Sequence, residues 1–349
     1  MKKTLLTICL VWMCFSLSAQ KIIDLSGKWS FSIDRQDNGE KEKWFSHTLN
    51  DCINLPGSMP EKLKGDEVTA KTQWTGSLYD SSYYYNPYME KYRKEGNIKF
   101  PFFLTPDKHY VGAAWYQKEV NIPADWKGER ILLFLERPHI ETTVWVNGQK
   151  TGMQNSLCVP HQYDITHYVR PGKCTITIRV DNRIKEINVG PDSHSITDQT
   201  QGNWNGIVGR ICLQTTPKTY FDDIQIYPEP EQKLARVKVV IKGTGTAKVK
   251  LSAESFNTDK KHIVPAIQQE IKLNKGVTET EMVLPMGNDM LLWDEFHPAL
   301  YKLKAEVTNG KKTEIKEIQF GMRRFEIKGK WFYVNGRKTQ LRGTDRKSV

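Results

Sequence analysis

Short runs of alternating apolar and polar residues recur along this chain, and they constrain its fold more than any other feature. Gly, Pro, Asn and Asp clusters separate the runs, and no long segment has the periodicity of a helix. Alternation with a period of two predicts β-strands that bury one face. The sequence therefore predicts an all-β protein. The clearest runs are Lys28 to Ile33, Arg130 to Leu135, Thr142 to Val146, Thr175 to Val180, Arg236 to Ile241 and Ala247 to Leu251.

Two of the turns between strands are legible from their residues. WVNGQK contains Asn147 and Gly148, and YVNGRK contains Asn335 and Gly336. Asn-Gly supplies the positive φ angles that a two-residue hairpin turn needs. Each pair predicts a tight β-hairpin.

The length of 349 residues predicts more than one domain. One strand series closes near Thr215 and another opens after Pro228 and Pro230. We expect a jelly roll over residues 20–218, because a segment of roughly 190 residues suits that fold. Residues 219–325, with about seven strands, are of the size of an immunoglobulin-like sandwich. Residues 326–349 then begin a further domain.

The N-terminus resembles a secretory signal peptide. Lys2 and Lys3 precede an apolar stretch that ends in small residues, and we expect cleavage after Ala19. The apolar run is shorter than the roughly 20 residues that a membrane anchor needs. We therefore expect a periplasmic or secreted protein without a membrane anchor.

Charge and metal-ligand patterns exclude several classes of function. The net charge of +11 comes from Lys and Arg interleaved with Glu, which is typical of solvated strand faces rather than of a nucleic-acid footprint. Neither the histidines nor the cysteines have metal-ligand spacing, and we expect no metal and no cofactor. Four cysteines follow Ala19, and we favour small buried thiols over disulfides: Cys52, Cys158, Cys174 and Cys212.

A succession of motifs resembles glycoside hydrolase family 2. In order they are DLSGKWSFSID, INLPGSM, AAWYQKEVNIP, TTVWVNGQKTG, TITIRVDN, NWNGIVGRICL, WDEFHPALYKL, FGMRRFEI and FYVNGRKTQLRG. The resemblance implies a sugar-binding jelly roll, an immunoglobulin-like sandwich and then a (β/α)₈ barrel that carries two catalytic carboxylates. A barrel takes about 250 residues, whereas only TDRKSV follows Gly343. We therefore expect this chain to stop before the catalytic carboxylates.

The residues that are present offer no catalytic pair. Glycoside hydrolysis needs two carboxylates on either side of one bond. Asp294 and Glu295 are the nearest imitation, but adjacent residues of a strand point to opposite faces. We expect this pair to be structural and no residue of the chain to be catalytic.

Contacts to sugar are a separate matter, and two segments are candidates. Residues 74–110 are dense in aromatic residues and end at Tyr110; such rings stack on sugars, although most of them are expected to pack against the jelly roll. The polar segment 195–210 can hydrogen-bond hydroxyl groups. The resemblance points to Asp198 as its acidic contact, with Gln201, Asn203 and Asn205 as neighbours, and we expect Trp204 to be a core anchor.

The leading interpretation is the sugar-binding front part of a family 2 glycoside hydrolase without its barrel, whose partner is a carbohydrate or a separately encoded barrel fragment. A free-standing carbohydrate-binding protein is the alternative. A third is an interaction scaffold without affinity for sugar.

Overall fold

The computed structural model describes residues 21–72, 81–99, 105–185 and 202–343. The expected signal peptide, residues 1–19, lies outside these residues. The chain divides between Thr216 and Pro217 into two compact units. Strands dominate both, so the predicted all-β class is confirmed.

The described residues of the first unit form thirteen strands. They are β1 (Ile22–Asp24), β2 (Gly27–Asp34), β3 (Asp51–Leu55), β4 (Gly57–Ser58), β5 (Asp66–Glu67), β6 (Lys108–His109), β7 (Ala113–Ile122), β8 (Arg130–His139), β9 (Glu141–Val146), β10 (Gln149–Asn155), β11 (His161–Asp164), β12 (Gly172–Asp181) and β13 (Gly206–Thr216). Helical segments are short: α1 (Ser82–Tyr85) and 3₁₀ turns at Trp44–Ser46, Pro87–Tyr92 and Ala124–Trp126.

Two antiparallel sheets form the jelly roll of this unit. One has the order β1-β13-β8-β11, with β4 beside β13, and the other has the order β10-β9-β12-β7-β2-β3. Side chains from both sheets join one buried cluster that includes Leu133 and Leu213 from the first sheet and Trp29 and Ile178 from the second. Alternation along each strand puts these residues on the inner face, as in other sandwiches.

The second unit contains the remaining strands. They are β14 (Tyr220–Glu229), β15 (Leu234–Phe256), β16 (Ile263–Pro285), β17 (Leu300–Asn309), β18 (Lys312–Phe320), β19 (Phe325–Lys328), β20 (Trp331–Val334) and β21 (Arg337–Thr339), with a 3₁₀ turn at Pro230–Gln232. The sandwich consists of β14-β15-β17-β18 with β16 on β15. Strands β19, β20 and β21 form a separate three-stranded sheet.

Strand β15 corrects the expectation of two separate strands at Arg236 to Ile241 and Ala247 to Leu251. It is one strand of 23 residues whose register against β16 shifts between Gly243 and Gly245. Both glycines have positive φ angles, so the strand bends there. Its first part pairs with β14 and its later part with β17, and both parts bury side chains in the same core.

Both Asn-Gly hairpins are confirmed. Asn147 and Gly148 join β9 to β10, and Asn335 and Gly336 join β20 to β21, with φ angles of 50° and 77° in the first turn and 51° and 77° in the second. These left-handed angles at both central positions are those of a type I′ turn.

The four cysteines agree only partly with the expectation. All are free thiols, and Cys174 and Cys212 are buried, but Cys52 and Cys158 are exposed. Within the described ranges, no helix has the length and apolar character to cross a membrane.

Candidate functional site

Three asparagines lie on either side of residues 186–201, which contain the first part of the polar segment 195–210. Asn182 directly follows β12, Asn205 directly precedes β13, and Asn203 lies two residues before Asn205. Asn203 Nδ2 donates to the backbone oxygen of Asn182 at 3.0 Å. The described residues on the two sides of positions 186–201 are therefore hydrogen-bonded to each other, and we call Asn182, Asn203 and Asn205 the stem.

Asn205 is part of the interior of the jelly roll. It is 1% exposed, and its Nδ2 donates to the backbone oxygens of Gly112 and Val180 at 3.0 and 2.9 Å. Its Oδ1 accepts from the Tyr116 hydroxyl at 2.7 Å. The amide is engaged on both sides by the protein, so this residue supports the stem rather than presenting a group to a ligand.

Tyr110 is also an interior residue. Its hydroxyl donates to the backbone oxygen of Ala113 at 2.8 Å, and burial raises the pKa of the phenol. Its own backbone oxygen accepts from Asn182 Nδ2 at 2.8 Å. The ring packs within the sandwich core and is therefore not a stacking platform.

Asn203 differs from Asn205 in one important respect. It is 8% exposed, and its Oδ1 has no hydrogen-bond partner in the described part of the chain. A buried acceptor without a donor costs about 1–3 kcal/mol, and such groups in native structures mark a functional site or an unfilled contact. This carbonyl oxygen can accept from a hydroxyl group.

His139 contacts Trp204, the residue after Asn203, and was not singled out from the sequence. It ends β8, faces Gly206 across the sheet and stacks on Trp204 with ring centroids 4.6 Å apart. Its Nδ1 is buried and, among the described residues, has no partner. Burial lowers the pKa of His139 to about 4, so the ring is neutral at pH 7. Trp204 is partly buried, and no spacing rule in the sequence indicates that the two rings meet.

An ion cluster fixes the residues that lead into the polar segment. Asp181 is fully buried and pairs with Arg179, Arg183 and Lys185 at 3.1, 2.5 and 2.8 Å. The carboxylate loses hydration on burial, but the hydrogen bonds from Arg183 and Lys185 outweigh this and lower the pKa of Asp181. Lys185 also pairs with Glu141 of β9 at 3.0 Å. The start of the segment is thus bound to the neighbouring strand β9.

Asp198 and Gln201, the other two predicted sugar contacts, lie outside the described residues. Their roles therefore stay predictions.

The acidic pair Asp294 and Glu295 has a structural environment. Asp294 Oδ1 accepts from the backbone N–H groups of Phe296 and His297, each at 2.8 Å, and Glu295 pairs with Arg337 at 2.8 Å. The pKa of Asp294 is lowered, and the hydrogen bond from the Phe296 backbone N–H is the largest cause. A general acid needs the opposite shift. No group of His, Cys, Asp and Glu side chains able to hold a metal ion occurs among the described residues.

Comparison with known proteins identifies the family. The sequence model described as "Glycosyl hydrolases family 2, sugar binding domain" matches residues 22–217, and the model "Glycosyl hydrolases family 2" matches residues 219–323. The chain belongs to glycosyl hydrolase family 2. The first match ends where the first compact unit ends, so the asparagine stem lies in the family's sugar-binding domain.

Curated relatives carry two kinds of name. A putative β-glucuronidase of Formosa agariphila is 30% identical over 70% of this chain and 29% of its own length. A β-glucuronidase of Paenibacillus borealis is 24% identical over 93% of this chain and 49% of its length. The β-galactosidase large subunit of Latilactobacillus sakei is 23% identical over 92% and 49%. The chain thus spans at most about half the length of these relatives.

Solved structures show the same fold. A β-glucuronidase from Ruminococcus gnavus, in complex with D-glucaro-d-lactam, superposes on this chain with a TM-score of 0.61 at 18% identity. The match covers 93% of this chain and 49% of the β-glucuronidase chain. A β-glucuronidase from an uncultured Clostridium species gives a TM-score of 0.58 at 20% identity. The expected jelly roll and immunoglobulin-like sandwich are confirmed by this likeness.

Proposed function

We propose that this chain forms the sugar-contacting, non-catalytic part of a family 2 β-glycosidase. The proposed place of this protein is the periplasm or the medium, where it takes part in carbohydrate breakdown. The observation that carries the proposal is the Asn203 carbonyl, which has no partner among residues 21–72, 81–99, 105–185 and 202–343 and lies inside the domain that the family uses for sugar. A sugar hydroxyl is the donor that this acceptor lacks.

The proposed ligand is a β-glucuronide or a β-galactoside, since these are the activities in the names of the similar proteins. A neutral His139 and the Asn203 amide offer hydrogen bonds without a fixed charge. Asp198 adds the acidic contact, as the resemblance implies. Hydrolysis itself requires two carboxylates on opposite sides of the bond, and we propose that they come from a barrel outside residues 1–349.

Saturation-transfer NMR of the full chain with methyl β-D-glucuronide and methyl β-D-galactoside tests the binding. We expect one of the two sugars to bind weakly, and Asn203→Ala and Asp198→Ala each to reduce its signal at least fivefold. Asn121→Ala is the matched control, because Asn121 is exposed on β7 of the same unit. If Asn203→Ala and Asp198→Ala bind the sugars as well as the wild type does, the proposed contacts are contradicted. If no protein binds either sugar, the result favours an interaction scaffold.

An activity assay separates the wall of an active site from an enzyme. The full chain is incubated with aryl β-glucuronide, β-galactoside, β-mannoside and β-glucoside, and no turnover is expected. Enzymes of this class lower the barrier by about 8–23 kcal/mol, and binding alone does not stabilise a transition state. Turnover that survives repurification and disappears in Asp294→Ala or Glu295→Ala would overturn this assignment.

A further inference from the structure

The helical segment 81–99 of the jelly-roll unit is held together by its own contacts. The Tyr83 side chain is buried, and its hydroxyl donates to the backbone oxygen of Tyr92 at 3.0 Å. The Arg93 guanidinium donates to the backbone oxygen of Tyr83. Asn86 Oδ1 accepts from the backbone N–H of Tyr88 at 3.0 Å and so caps the second helical turn. The segment therefore has a defined conformation.

Two tyrosines of the same segment point into solvent. Tyr85 ends α1 and is 72% exposed, and Tyr88 lies in the first turn of the following 3₁₀ helix and is 84% exposed. One exposed aromatic ring needs no explanation, but neighbouring ones on an ordered segment are typical of a contact surface. Tyrosine suits this task because its ring supplies apolar area and its hydroxyl stays hydrogen-bonded to water or to a ligand.

We propose that Tyr85 and Tyr88 form an accessory platform on which a polysaccharide chain stacks. The class of ligand rests on the proposed function, since both residues lie within the sugar-binding domain. The C–H faces of pyranose rings are apolar, whereas their hydroxyl groups require polar neighbours, and exposed tyrosines offer both.

The charge of the segment indicates the kind of polysaccharide. Basic residues outnumber acidic ones, with Lys91, Arg93, Lys94 and Lys99 against Glu90 and Glu95. Positive charge attracts an anionic chain and is screened by salt. We therefore expect uronate-bearing chains to bind better than neutral ones. The difference should shrink at 0.5 M salt, where the Debye length falls to about 4 Å from about 10 Å at 0.1 M.

Affinity electrophoresis of the full chain in native gels tests this platform, with polygalacturonate as the acidic polysaccharide and arabinogalactan and xyloglucan as the less charged ones. We expect polygalacturonate to retard the wild-type chain and the double variant Tyr85→Ala/Tyr88→Ala to lose at least fourfold in affinity. Tyr227→Ala is the matched control, because Tyr227 is an exposed tyrosine of the other unit. Thermal unfolding checks that the double variant keeps its fold.

The outcomes distinguish the platform from the stem. Loss of retardation in Tyr85→Ala/Tyr88→Ala but not in Asp198→Ala supports the platform, and retardation by the neutral chains alone contradicts the proposed anionic ligand. Loss in Asp198→Ala alone leaves the proposed function standing and overturns the platform. Failure of every polysaccharide to retard the wild type also overturns it.

Discussion

The Tyr116 hydroxyl and the Asn205 side chain satisfy each other in the core of the jelly roll, 2.7 Å apart and 89 positions apart in the chain. Tyr116 lies on β7 in one sheet, and Asn205 stands at the start of β13 in the other. The pair therefore joins both layers of the sandwich.

Replacement of Asn205 by alanine is expected to destabilise the jelly roll strongly. The change leaves the Tyr116 hydroxyl and two backbone oxygens without their partner, and unsatisfied buried groups cost about 1–3 kcal/mol each, so we expect a loss of about 3 kcal/mol or more. Urea unfolding measures it. Asn121→Ala, on the exposed side of β7, is expected to change little. Combination with Tyr116→Phe tests the coupling, and strictly additive effects would contradict a shared interaction.

Replacement of His139 by phenylalanine is expected to remove an acid-sensitive element. Burial lowers the pKa of His139 from 6.5 to about 4, so the unfolded chain takes up a proton that the folded chain refuses. This contribution to stability is present above pH 6.5 and is lost as the pH falls towards 4, by about 3 kcal/mol in total.

The variant keeps a ring against Trp204 and removes the buried Nδ1, for which the described part of the chain offers no partner. We expect its unfolding free energy to fall less steeply between pH 6.5 and 4 than that of the wild type. Burial also lowers the pKa of His161, so some acid sensitivity remains in both proteins. The exposed His167→Phe is the control, and identical slopes in the wild type and His139→Phe would contradict the prediction.

Replacement of Asp181 by asparagine is expected to loosen the start of the polar segment. Arg179, Arg183 and Lys185 lose their common anion, although Asp37 still pairs with both arginines and Glu141 with Arg179 and Lys185. We therefore expect a loss of about 1–3 kcal/mol, the usual cost of removing a hydrogen bond to a charged group. Hydrogen exchange of the amides that follow β12 should accelerate. Asp66→Asn removes an exposed pair with Arg35 and should leave the exchange unchanged. Equal effects of the two substitutions would show that burial is not the cause.

Truncation after Arg323 is expected to make the chain less prone to association. It removes β19 to β21, where Phe325, Ile327, Trp331 and Phe332 are exposed. A short three-stranded sheet with an exposed apolar face and free edges favours association. Light scattering against concentration measures it. Ile327→Glu in the full chain should act in the same direction, and faster association of the truncated chain would contradict the prediction.

Sequence patterns were sufficient for the fold class and for local turns. Alternation is a local property, and Asn-Gly turns require only their own two residues, so both Asn147-Gly148 and Asn335-Gly336 could be predicted. The continuity of β15 could not, because a bend at Gly243 and Gly245 resembles a turn in sequence and is distinguished only by pairing with β16.

The candidate site was accessible to sequence reasoning only in part. The polar segment could be recognised from its amide-rich composition, but the difference between Asn203 and Asn205 arises from partners that are distant in sequence, such as Tyr116 and Gly112. His139 could not be found in this way, since its neutral, partly buried state depends on the ring of Trp204, which packs on it from the residues just before β13.

The hydrogen bonds of Asn335 also bear on the chemical lifetime of the protein. Asn-Gly sequences age by cyclisation, in which the glycine nitrogen attacks the asparagine carboxamide and ammonia is released. Here Nδ2 donates to the Trp293 backbone oxygen at 2.9 Å, and Oδ1 accepts from the Arg324 backbone N–H at 2.8 Å. The carboxamide must break both bonds before it turns towards the nitrogen of Gly336. Deamidation at this position therefore records the time that the C-terminal hairpin spends open.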